Sequence, residues 1–232
     1  MFFFNFNIHL KNIFHRIVFN AKIAFKYYSM NISFLCLWAF LSIWVDWLVR
    51  SNYGVSIWQN NLGIKAVIKQ KGLWQTLLFI GFHMPILEEI SFRLWLSFKK
   101  YHMIIGFFFL LYIISGLLDT YCESIFRVPF IAVLTGIFWL FMKDISNESM
   151  VRFSSKNLNY AKLLSIALFG FMHIANYTPL DVKILFVYPF LIIPQLIAGY
   201  YLTKIRLELG FMWSVSIHIL NNLLSFMLNI AV

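Results

Sequence analysis

Two adjacent glutamates, with an arginine four residues after the second, interrupt an otherwise apolar run: His83-Met84-Pro85-Ile86-Leu87-Glu88-Glu89-Ile90-Ser91-Phe92-Arg93. Neighbouring positions on a helix point about 100° apart, so the two carboxylates cannot share one partner. Glu89 and Arg93, at i and i+4, share a face and suit an ion pair. Glu88 is left in a different environment, where a carboxylate can draw a proton from water as a general base. Pro85 lacks an N–H and starts or kinks a helix, which lets water approach the next turn. A second apolar run carries Phe169, His173 and Asn176, and a third carries His218, Asn221 and Asn222. His218 and Asn222 share a helix face and offer imidazole and carboxamide donors of the kind that stabilise an oxyanion when a carbonyl is attacked. Each segment alone also reads as plain structure: an ion pair locking helices, or polar contacts between spans. Brought together, they supply a base, a polar cage and room for one water.

The elements that must hold these residues are membrane helices. The 232 residues are 61% hydrophobic and 12% charged, with a mean hydropathy of +0.78. A single water-soluble core cannot hide that much apolar surface. Spanning lipid requires helices of about 20 apolar residues or a closed barrel, and long unbroken runs favour helices. Length picks out about seven spans, near 31–49, 73–98, 103–119, 125–142, 160–176, 183–203 and 210–230. The polar stretch 50–72 has room for a second surface helix. Residues 1–30 interleave Phe and Ile with Lys11, Arg16, Lys22 and Lys26 and read as a basic amphipathic helix at the membrane interface, not a cleaved signal. Residues 31–232 form one transmembrane domain. The expected fold is therefore all-α, a polytopic transmembrane bundle in the cell membrane.

The net charge of +10 punctuates the apolar runs instead of forming a stripe, which points to anionic headgroups and not to nucleic acid. Lys99, Lys100, Lys143, Arg152, Lys156, Lys162, Lys204 and Arg206 fall in alternate loops, a cytoplasmic pattern that leaves the C-terminus outside. Arg50, Lys65, Lys69 and Lys71 run against it. Cys36 and Cys122 lie in or beside apolar runs and suggest no disulfide framework.

The ordered motifs resemble the CPBP membrane proteases (CAAX proteases and bacteriocin-processing enzymes, also called the Abi family). That family's EExxxR, FxxxH and HxxxN patterns are matched by Glu88-Glu89 with Arg93, Phe169 with His173, and His218 with Asn222, across a core of about residues 73–230. Pro85 matches the proline that precedes the glutamate pair, and the Gly-Tyr-rich lead into the last motif is also matched; Leu94 stands where many members have glycine. The resemblance implies an endopeptidase in which Glu88 activates the attacking water and His173 positions water or substrate. It also implies that His218 and Asn222 line an oxyanion hole and that Glu89 and Arg93 support them.

Glu88, His173 and His218 could also form a zinc site, but there is no HExxH and Asn222 is a poor zinc ligand, so the expected mechanism is metal-free with no cofactor. The implied partners are the lipid bilayer and a peptide or membrane-protein substrate. The richness in Phe, Ile, Asn and Lys points to an AT-rich bacterial gene and so to bacterial peptides over prenylated ones. Two other classes compete. A non-catalytic immunity or scaffold protein would use the same polar residues as glue. A transporter would use them for proton coupling, but no repeated, interrupted half supports it.

Overall fold

The computed structural model describes residues 2–59, 63–116 and 124–231, and all regular structure among them is helical. The first helix, α1 (Phe2–Tyr53), is 52 residues long. At about 1.5 Å per residue it far exceeds the hydrocarbon thickness of roughly 30 Å. The boundary expected near residue 30 falls inside it: composition changes there, but the backbone does not break. A short helix, α2 (Ile64–Lys71), occupies the stretch in which a surface helix was expected.

The run carrying the glutamates is segmented. α3 (Leu73–Leu78) passes through a widened π turn, Phe79–His83, into α4 (Met84–Arg93), which tightens into a 3₁₀ turn over Leu94–Ser97. Pro85 sits in the first turn of α4, directly after the π turn, and its missing N–H leaves a carbonyl of that turn without a backbone partner. Then come α5 (Lys100–Gly116), α6 (Ser124–Lys143) and α7 (Asn147–Met172). Ser146 caps α7, its Oγ accepting from Ser149 N at 3.1 Å, which explains why the helix begins well before the apolar stretch from residue 160. The run expected as a span from residue 183 opens instead with 3₁₀ turns and a short helix, α8 (Tyr188–Leu191), before α9 (Ile193–Glu208). Pro189 and Pro194 stand at helix starts. The chain closes with α10 (Phe211–Ala231).

Among the described residues, four helical stretches are long and apolar enough to cross a bilayer: Phe14–Tyr53, Asn147–Tyr177, Val182–Glu208 and Phe211–Ile230. Burial is inverted relative to a soluble protein. Glu89, Ser91, Arg93, Ser165 and Ser214 are 0% exposed, whereas Phe40 is 72% and Phe141 75% exposed. Such a surface is stable in lipid and unstable in water. The chain is built as a multi-pass membrane protein.

Three apolar clusters stack along the bundle. One end packs Val49, Ile57, Tyr177, Ile184 and Tyr188; the other packs Leu96, Phe98, Met142 and Met150. Between them Phe92, Phe169 and Ala198 form a small middle cluster. α1 runs antiparallel to α9: Tyr27 O–H donates to Glu208 Oε2 at 2.7 Å near one end, and Trp38 Nε1–H donates to the Phe190 carbonyl at 3.2 Å towards the other.

Candidate active site

The polar residues of the interior meet where α4 and α10 pack. Glu89 is the hub. Its Oε1 accepts from the Arg93 guanidinium, one helical turn on, and lies 2.9 Å from His218 Nδ1; its Oε2 accepts from Ser214 Oγ at 2.5 Å. The i,i+4 pair expected from the sequence is therefore present, in a site with no exposure on either side chain. Three donors on one carboxylate make Glu89 an acceptor throughout, which is the condition for burying a charge.

The other face of His218 meets Glu88. His218 Nε2 and Glu88 Oε2 are 3.3 Å apart, and the Glu88 side chain keeps 12% exposure against 4% for His218. Among the described residues no aligned hydrogen bond reaches Glu88 Oε2. One imidazole thus bridges two carboxylates that leave α4 in different directions. Glu89 is closed in on all sides, while Glu88 is the acid at the margin.

Arg93 is held by more than charge. Its guanidinium carbon lies 4.2 Å from the Phe169 ring centroid, a cation–π contact in a dry setting. The same ring is 4.7 Å from the His173 ring and 5.7 Å from the His218 ring. Phe169 therefore touches three of the expected site residues. His173 lies in the 3₁₀ turn that ends α7, and its Nδ1 is 2.7 Å from the Phe169 carbonyl. A carbonyl only accepts, so Nδ1 carries the proton and Nε2 keeps its lone pair. Asn222 Nδ2 donates to the Ile80 carbonyl in the π turn at 2.9 Å, which leaves its second N–H for another acceptor.

The structure thus brings Glu88, Glu89, Arg93 and His218 into direct contact. His173 joins through Phe169, and Asn222 sits one turn beyond His218 on the backbone that leads to the glutamates. The sequence reasoning missed Ser214. The signal was there: Ser214, His218 and Asn222 recur every four residues, a single polar stripe on an apolar helix. Among the described residues no group of three His, Cys, Asp or Glu side chains is placed to hold a metal ion.

No protein-family model matches the chain, and no characterised protein or solved structure is detectably similar to it.

Proposed function

We propose that the chain is an intramembrane endopeptidase that hydrolyses a peptide bond with a water activated by Glu88, in a cell-membrane bundle of about seven spans. The observation that carries this reading is the Glu88–His218–Glu89 bridge. Glu89 holds His218 from behind, and His218 Nε2 stands 3.3 Å from Glu88 Oε2. Glu88 then stands with one oxygen against the imidazole and can take a proton from water on the other. As the water attacks a substrate carbonyl, negative charge develops on the carbonyl oxygen. The uncommitted N–H of Asn222 supplies one donor of the type that stabilises it, and His218 Nε2 supplies a second while it holds the proton that Glu88 has taken from the water. That proton returns through Glu88 to the leaving amine. His173 Nε2, an acceptor with its ring oriented by the Phe169 carbonyl, suits positioning of water or substrate. The partners are the bilayer and a peptide or membrane-protein substrate.

A second reading, a non-catalytic membrane scaffold or immunity protein of the same fold, is favoured by how completely Glu89 is satisfied by Arg93, His218 and Ser214. Glu88→Gln separates the two. The amide keeps the shape and is cheaper to bury, so the fold survives. It cannot accept the proton, so cleavage falls by about 10²–10⁴-fold. The measurement compares new peptide N-termini in membranes holding wild-type or Glu88→Gln protein at matched abundance, with and without a chelator. Termini that vanish with the variant support the peptidase. Unchanged phenotype with Glu88→Gln leaves the scaffold in front. Loss on chelation, restored by zinc, would overturn the metal-free chemistry.

A further inference from the structure

We infer that Ser214 is a positioning residue, which acts through Glu89 to hold His218 in the tautomer with its proton on Nδ1; its catalytic importance rests on the peptidase reading above. The argument counts donors and lone pairs. Glu89 Oε2 has one donor among the described residues, the Ser214 hydroxyl at 2.5 Å, and the group is fully buried. Ser214 Oγ is also 3.0 Å from the Leu202 carbonyl, and one hydroxyl proton serves one acceptor at a time. Leu202 lies inside α9, where its carbonyl has the helical partner four residues on, so it can do without Ser214. Glu89 Oε2 has no such substitute, and the proton belongs there.

With Oε2 fixed by Ser214, the rotation of the carboxylate is set, and Oε1 is presented to Arg93 and to His218 Nδ1. An oxygen that only accepts requires a proton on Nδ1. Nε2 is then directed at Glu88, and whichever proton lies between Nε2 and Glu88 Oε2 is the one the chemistry can move. Without Ser214 the carboxylate keeps its attraction to Arg93 but loses the contact that fixes its roll. The imidazole is then free to exchange tautomers.

The test uses full-length protein in lipid nanodiscs with ¹⁵N-labelled histidine. Protonated and unprotonated ring nitrogens have well-separated shifts, and His218 is assigned by the signal lost in His218→Gln. Wild type should give a protonated Nδ1. Ser214→Ala should blur that signature into exchange between the two nitrogens, and Ser214→Thr, which keeps the hydroxyl, should restore it. Ser214→Cys, nearly the same size with a weak donor, serves if threonine does not fit. Processing should fall about 10–100-fold in Ser214→Ala, as for lost orienting contacts behind a catalytic group, and recover with the hydroxyl variant. An unchanged Nδ1 signal in Ser214→Ala overturns the inference whatever Glu88→Gln does. A scrambled tautomer together with a fully functional Glu88→Gln keeps the positioning role and sinks the peptidase.

Discussion

Glu88 and Glu89 are chemically identical neighbours, and the helix makes them different. Glu89 points into a shell of Arg93, His218 and Ser214, whereas Glu88 faces the far side of the imidazole. A fully buried carboxylate and guanidinium are tolerable only as a pair, since losing one partner strands the other charge. Arg93→Ala is therefore expected to destabilise the fold by about 3–5 kcal/mol, seen as lower folded yield and a lower unfolding temperature in detergent. Arg93→Lys keeps the charge but loses the flat face that lies against Phe169, and should fall between the two. Wild-type stability of Arg93→Ala would show that Glu89 is held by its other donors alone.

Around this cluster, helix spacing is set by glycines as much as by large side chains. α7 and α9 approach closely because Gly170 has no side chain: a Cβ there would collide with Leu196, with Cγ only 2.7 Å away. Gly170→Ala gains about 1 kcal/mol in helix propensity but loses roughly 1–3 kcal/mol to overpacking. Gly170→Val, bulkier still, should clearly lower the unfolding temperature. The double variant with Leu196→Ala should recover part of the loss, and Gly136→Ala, where nothing lies within 4 Å, should be neutral or better. A stable Gly170→Val would mean that the two helices can separate without penalty. How much could be read from the sequence follows the same physics. The glutamate–arginine pair and the His218–Asn222 face were legible because a helix converts spacing into direction. The π turn before Glu88 was not, since nothing in Phe79–His83 marks a widened turn locally. The early start of α7 was hidden because its first turns are polar, and hydropathy does not register a serine cap. Phe169 was legible as part of a motif, but its contact with Arg93 depends on tertiary packing.

The packed ends of the bundle sort the charges. Lys100 Nζ donates to the Lys143 carbonyl at 2.9 Å, and Lys204 lies over Tyr27, so the basic loops after α4, α6 and α9 gather with the N-terminal half of α1. At the other end Gln59 Nε2 donates to Asp181 Oδ2 at 2.9 Å, and Arg50 is paired with Asp46. That pairing blunts part of the basic loop that runs against the topology read from the sequence. The richer basic end should face the cytoplasm. In a background with Cys36 and Cys122 replaced by serine, Ser155→Cys should react with a membrane-impermeant maleimide only after permeabilisation. Asn52→Cys should react in intact cells. The reverse pattern would invert the orientation, and identical behaviour of both sites would contradict a membrane between them.

The widened turn at Phe79–His83, whose Ile80 carbonyl accepts from Asn222, has a consequence in phase. A π turn holds one residue more than an α turn, so α3 and α4 are out of step by about 100° relative to one continuous helix. Removing any one residue from the turn would rotate α3 by about 100° against α4, with every polar side chain of the site still in the sequence. The arithmetic of this stretch, not its chemistry, sets the phase between α3 and the glutamates. A related chain one residue shorter here would carry all seven polar residues and join them to the preceding helix in a different phase.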